Sequence, residues 1–135
     1  MERTLVLIKP DGIERKLIGE IISIYEKKNL KIVGLKMLKA TRELAEKHYE
    51  EHKGREYFEE LIEYITEDNI CALAIEGEHV IDNIRKVNGD KDPLKVDMGS
   101  IRGKYSSNKT RNLVHASDCI ESAEREIGIW FPELI

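Results

Sequence analysis

Apolar positions along the chain follow two kinds of period. Thr4–Ile8 is a continuous apolar run closed by Pro10 and Gly12, which predicts a buried strand followed by a turn. Leu17, Ile18, Ile21, Ile22 and Tyr25 recur at helical spacing and predict an amphipathic helix ending near Lys28-Asn29. Leu30–Leu38 alternates as a second strand, with Ile32, Val33, Leu35, Met37 and Leu38 as its apolar set. Thr41 is a suitable N-cap for a helix carrying Leu44, Ala45, His48 and Tyr49 on one side. After Gly54 a further helix presents Phe58, Leu61, Ile62 and Ile65, and Ile70–Ile75 predicts a third strand. Val80, Ile81, Ile84 and Val87 mark another helix. From Asn88 to Asn112 periodicity vanishes, with Gly89, Pro93, Gly99 and Gly103 punctuating a long loop. Leu113–His115 is a short fourth strand, and Asp118 with Glu121 resembles a capping box for a last helix, Cys119–Ile129.

Strands and helices therefore follow one another without strict alternation. That order predicts an α+β sandwich: one four-stranded, largely antiparallel sheet with helices packed on it. A chain of 135 residues is expected to form a single domain, residues 1–135. Long loops inside such domains are usually functional, and this one ends immediately before His115.

Composition narrows the classes. A hydrophobic share of 41% suits a globular protein, and a formal charge of −4 argues against a general nucleic-acid binder, which would be basic. Charged residues make up 36% and glutamine is absent, a pattern that leans toward a heat-adapted source. Met1-Glu2-Arg3 runs straight into the first strand, so no signal peptide is expected, and no apolar run approaches the roughly 18 residues of a membrane span. Cys71 and Cys119 form no CxxC pair, and a reducing cytoplasm fits.

The segment Arg111–Glu126 carries the chemistry. A short strand delivers His115 to its end, and the following helix returns Glu126 toward it. An imidazole is a good nucleophile at neutral pH when a carboxylate holds its tautomer and a pocket brings an electrophile. A lone histidine after a strand is usually structural. Against that stand Lys9-Pro10-Asp11-Gly12 after a strand, Arg85 near a helix end, and Arg102, Lys104, Lys109 and Arg111 in the loop. Cations converging on a histidine point to an anionic substrate such as a phosphate. Each cation taken singly could equally be a solvated lysine or a surface ion pair. His48 and His52 have the i, i+4 spacing of a two-histidine metal site, but Tyr49-Glu50-Glu51 does not complete HExxH and no third ligand is evident. His79 reads as a surface residue at a helix start. Tyr57 or Phe58 could be core, or could stack a nucleobase. There is no GxxxxGK[ST] and no GxGxxG.

With these residues assembled, residues 3–131 resemble the nucleoside diphosphate kinase family. The resemblance rests on Thr4–Gly12, on His48-Tyr49, on Gly99-Ser100-Ile101-Arg102-Gly103, and on the Arg111–Glu126 block, followed by Trp130-Phe131. That block is similar to the family's N-[IL]-[IV]-H-G-S-D-S-x-x-S-A-x-x-E. The resemblance implies a ferredoxin-like α/β sandwich. It also implies transfer of the γ-phosphate of a nucleoside triphosphate to a nucleoside diphosphate by a ping-pong mechanism through phospho-His115. It further implies that Glu126 orients and polarises His115 with help from Ser117, and that Tyr49 stands near the nucleophile. Lys9 and Asn112 would reach the ribose, Arg85 and Arg102 the phosphates, and Tyr57 with Leu61 would clamp the base. Mg²⁺ would ride on the nucleotide phosphates rather than in a protein cage.

The chain departs from the family pattern in places. Tyr57 stands for a common Phe, and Lys91-Asp92-Pro93 for Thr-Asn-Pro, so that the Lys91 ammonium is expected on a phosphate in place of a hydroxyl. Met98 replaces a proline, Lys104 an aspartate, and Ala116 a glycine, the last a small change unless that backbone needs φ > 0. The chain ends at Ile135, without the long tail that touches neighbouring subunits in some members. The implied partners are nucleoside di- and triphosphates and further copies of the chain, a hexamer before a tetramer or dimer, with no membrane and no specific nucleic acid. Two rivals differ in class. A nucleic-acid binding module would show aromatics on open strands, which Thr4–Ile8 and Ile70–Ile75 lack. A silent family member acting as a scaffold would be expected to have lost part of the Lys9, Arg85, Arg102, Asn112, His115 and Glu126 set.

Overall fold

Four strands pair into one sheet in the order β2-β3-β1-β4 in the computed structural model, which describes residues 1–135. The strands are β1 (Glu2–Ile8), β2 (Lys31–Leu38), β3 (Ile70–Gly77) and β4 (Val114–Ala116), and every neighbouring pair is antiparallel. The helices are α1 (Pro10–Glu14), α2 (Ile18–Lys27), α3 (Arg42–His48), α4 (Phe58–Thr66), α5 (Val80–Asn88), α6 (Ile101–Tyr105) and α7 (Ile120–Trp130). This is the α+β sandwich expected from the element order.

Strand alternation sends the central strands' side chains to two separate cores. Val6, Ile8, Cys71, Leu73 and Ile75 pack with Ile21 and Tyr25 of α2 and Val80 and Ile84 of α5. Leu5, Leu7, Ala72 and Ala74 pack on the other face with Ala45 of α3, Ile62 and Ile65 of α4, and Ile127 and Trp130 of α7. Being covered on both faces explains why β1 reads as an unbroken apolar run.

Several expectations are corrected. The turn after β1 is the short helix α1, because Pro10 at its first position has the φ a helix start needs and no N–H to lose. In β2, Leu35 and Met37 are exposed rather than part of the core, since β2 is an edge strand bulged between Ile32 and Gly34. The fourth strand starts at Val114, and α7 starts at Ile120 behind Cys119 with no side-chain cap, so Asp118 and Glu121 form no capping box.

The stretch from Asn88 to Asn112 is not structureless. It contains α6, capped by the Ser100 hydroxyl accepting from the Gly103 N–H at 3.0 Å, a helix too short to show periodicity. Two glycines permit this folding. Gly89 closes α5 at φ 87°, and a Cβ on Gly103 would lie 2.0 Å from the Asp97 carbonyl oxygen. The Thr41 cap forms as expected, its hydroxyl accepting from Leu44 N–H at 3.1 Å.

Candidate active site

His115 sits opposite Leu7 on the edge strand β4, and α7 lays Glu126 across it. The His115 Nε2 to Glu126 Oε1 distance is 2.9 Å, with the His115 side chain 22% and Glu126 6% exposed. An ionised carboxylate can only accept, so Nε2 carries the hydrogen and Nδ1 keeps its lone pair. Ser117 fixes the carboxylate: its hydroxyl donates to Glu126 Oε1 at 2.8 Å and accepts from Leu5 N–H at 3.2 Å, while its own N–H donates to the Leu5 carbonyl at 3.1 Å. The carboxylate that orients His115 is thereby wired to the central strand.

Lys9 leaves the end of β1 and donates to Asn112 Oδ1 at 3.0 Å. Burial, with Arg102 and Lys91 nearby, pulls its pKa down to about 7 against the opposing pull of Asp11. Arg102 donates to the carbonyls of Gly89 (2.7 Å), Asn112 (3.3 Å) and Val114, so one guanidinium ties the loop to the strand that carries His115. One Nη1 hydrogen is left uncommitted. Burial is the largest influence on its pKa, downward, with Arg85 adding in the same direction. Arg85 lies exposed in the last turn of α5, and its charge reaches both Arg102 and Asp118. Lys91 is exposed and close enough to be felt at Lys9.

Tyr49 is buried, and Tyr57, 44% exposed, is steadied by its hydroxyl at 2.7 Å from His52 Nδ1. Leu61 lies half-buried one helical turn further on in α4. Arg111 does not join the cation cluster as expected: it forms a two-pronged pair with Glu67 at 2.9 and 3.0 Å, its guanidinium 4.7 Å from the Tyr64 ring centre. Lys104 and Lys109 are exposed. Ala116 does not need positive φ, so the alanine is accommodated.

Sequence reading missed His48 and Asp11 as parts of this site. His48 and His52 do not share a helix face, because α3 ends at His48 and His52 lies in a separate 3₁₀ turn, Glu50–His52. His48 is 3% exposed, packs edge-on against the His115 ring at 4.5 Å, and accepts at Nδ1 from Trp130 Nε1 at 3.1 Å. Its pKa is held well below the ordinary histidine value, by burial first and then by His115. His48, His115 and Glu126 bring one ligand atom each within 4.8 Å of one another. Trp130 can only donate, however, so His48 Nε2 carries the hydrogen and has no lone pair for a metal. No local signal in the sequence joins His48 to Trp130.

A tautomer-fixed imidazole with a free Nδ1, among buried and exposed cations, is equipped to handle phosphate as a phosphotransferase would. The family model described as "Nucleoside diphosphate kinase" matches residues 2–134. The chain is 52% identical over 131 residues to the nucleoside diphosphate kinase of Saccharolobus islandicus strain L.S.2.15, covering 97% of this chain and 95% of that one. It is 50% identical over 134 residues to that of Clostridium perfringens strain SM101, covering 99% and 94%. Among solved structures, the Aquifex aeolicus nucleoside diphosphate kinase superposes with a TM-score of 0.94 at 37% identity, covering 98% of this chain and 96% of that one. The chain belongs to the nucleoside diphosphate kinase family. Its activity is the transfer of the terminal phosphate of a nucleoside triphosphate to a nucleoside diphosphate. No helix is long and apolar enough to cross a membrane.

Proposed function

We propose that this kinase works through a phosphohistidine on Nδ1 of His115. The Nδ1 lone pair attacks the γ-phosphorus while the bond to the β,γ-bridging oxygen breaks, and the departing diphosphate keeps that electron pair. The ring becomes positively charged, and its Nε2 hydrogen faces the Glu126 carboxylate. A terminal oxygen of a second diphosphate then attacks the same phosphorus, the P–N bond breaks, and neutral His115 returns. The observation that carries this reading is the 2.9 Å contact between His115 and Glu126, held by Ser117.

Lys9 and Asn112 take the ribose in this scheme; Arg85, Lys91 and the uncommitted hydrogen of Arg102 meet phosphate oxygens. Tyr57 and Leu61 hold the base between apolar surfaces, which accepts purines and pyrimidines alike. Glu126 Oε1 is committed to His115 and Ser117, Oε2 lies 3.7 Å from Arg125 Nη2, and the nearest ligand cluster is rich in nitrogen, whereas Mg²⁺ wants oxygens. The chain's own residues thus suit a nucleotide that arrives with its Mg²⁺ on the phosphates, where the ion neutralises part of their charge. We further propose a cytoplasmic homo-oligomer, hexamer favoured. Support comes from the free Cys71 and Cys119 and from Leu35, Met37, Leu94 and Met98, which stand exposed. Light scattering reads the assembly mass directly.

The test is incubation with γ-labelled ATP and Mg²⁺, quenched without acid. Acid-labile, alkali-stable label that GDP chases into GTP supports the relay. Label that persists in His115→Ala would sink it.

Lys9 makes binding pH-dependent. Free Lys9 near 7 is mostly neutral at pH 8, and an incoming polyphosphate favours its charged form. Binding at pH 8 should therefore take up protons, and affinity should fall as pH rises above 7. Calorimetry in buffers of different ionisation enthalpy measures the uptake, which Lys9→Met removes.

Base–aromatic stacking contributes about 1–3 kcal/mol. Tyr57→Ala should accordingly raise nucleotide KM by about tenfold with kcat nearly unchanged, which steady-state kinetics with ADP and CDP will show.

A further inference from the structure

Leu113 is a fully buried leucine at φ 76°, in the left-handed region that a side chain disfavours. Val114 N–H donates across it to the Asn112 carbonyl at 2.9 Å, the three-residue closure of the classic γ-turn, a rare and strained conformation. This turn separates Asn112, which meets Lys9, from His115 three residues on. Such strain persists only when the surroundings over-determine it.

The surroundings here are the end of β1 and the start of α1. Asp11 is 7% exposed, and both its carboxylate oxygens are used: Oδ2 accepts from Leu113 N–H at 3.1 Å and Oδ1 accepts from the Tyr64 hydroxyl. The Leu113 carbonyl in turn accepts from Lys9 N–H at 2.8 Å. The turn is thus gripped at its N–H by a charged side chain and at its C=O by backbone. Burial, then the bond to Asp11, raises the Tyr64 pKa far above its ordinary value, so the phenol remains the donor that orients the carboxylate.

We infer that Asp11 is a positioning residue for the phosphoryl transfer, with Tyr64 as its support. By clamping the strained turn at Leu113 it sets Asn112 and His115 on opposite sides of one fixed backbone corner. It touches neither the phosphate nor the imidazole. The inference rests on the reading of His115 as nucleophile. Asparagine at position 11 has one acceptor in place of two, and its amide group presents hydrogens to either the Leu113 N–H or the Tyr64 hydroxyl. The turn then relaxes and His115 loses its aim.

The measurement is the pre-steady-state formation of labelled phosphoenzyme from γ-labelled ATP, which separates burst rate from burst amplitude. A residue that only supports folding changes the amplitude, the fraction of competent chains. A positioning residue changes the rate. Asp11→Asn is expected to label fully with a burst rate about 10- to 100-fold lower, the scale of a small misplacement of a reacting group. Tyr64→Phe, which keeps the ring and removes only the donor, is expected to slow the burst by about threefold at full amplitude. An Asp11→Asn rate within twofold of wild type, or a lowered amplitude at wild-type rate, overturns the inference. If Asp11→Asn yields no folded protein, Tyr64→Phe decides: a slower burst supports the role and an unchanged one overturns it. Absence of label on the wild type overturns this inference together with the His115 relay. Label on the wild type with an unchanged Asp11→Asn rate overturns this inference alone.

Discussion

Turnover in His115→Ala is expected to fall by more than about 10⁴-fold, while equilibrium binding of ADP changes by less than about threefold. Both halves follow from the division of labour in the site. In the proposed scheme the imidazole attacks the γ-phosphate through its free Nδ1 lone pair, while Lys9, Asn112, Arg85 and Arg102 hold the nucleotide without it. Removing the proposed nucleophile leaves no covalent route for the phosphoryl group. Steady-state assays beside a calorimetric titration separate the two terms. A kcat within tenfold of wild type would place the nucleophile elsewhere.

The second large effect belongs to Glu126→Gln, for which kcat should fall by about 100-fold, or about 2.7 kcal/mol of transition-state stabilisation. Glutamine keeps an oxygen that can accept, but it loses the charge that opposes the positive ring of phospho-His115. Its amide can also donate to Nε2, which favours the tautomer with hydrogen on Nδ1, where the lone pair is needed. Glutamine keeps the shape and an oxygen for the Ser117 hydroxyl, and the Arg125 guanidinium that loses its 3.7 Å partner is partly exposed and stays hydrated, so the fold should not suffer. Thermal unfolding should confirm a Tm near wild type, so that the rate loss reads as chemistry. A loss under threefold would reduce Glu126 to a packing role.

Much of this site is legible in linear order because the family pattern is dense around it. The histidine, its carboxylate eleven residues on, and Ser117 between them lie in one short block, and β4, the residue after it and α7 bring the three together. Element type was equally legible wherever burial is one-sided or complete: the β1 run, the α2 stripe and the Thr41 cap stand as expected. The misreadings have two causes. α1 and α6 are too short for a period to develop, and β2 alternates in sequence although its edge position leaves Leu35 and Met37 exposed.

Arg111 shows the same limit in the chemistry. It sits next to Asn112 in sequence, yet its charge goes to Glu67, the residue that ends α4. His48 showed only the spacing of a helical metal pair without its motif, and its partner is Trp130, far along the chain.

The sequence by itself determined the elements that bury apolar surface and the α+β class, because hydrophobic period encodes those directly, and through the family pattern it put forward His115 and Glu126 as the pair proposed to carry the chemistry. Only the tertiary structure decided the rest. It assigned hydrogen to Nε2 of His115, committed Arg102 to three backbone carbonyls, and fixed the left-handed turn at Leu113 under Asp11. Each of these depends on which polar group meets which across two elements remote in sequence. A buried donor or acceptor takes whatever partner the packed fold supplies, and the local pattern of residues does not say which that is.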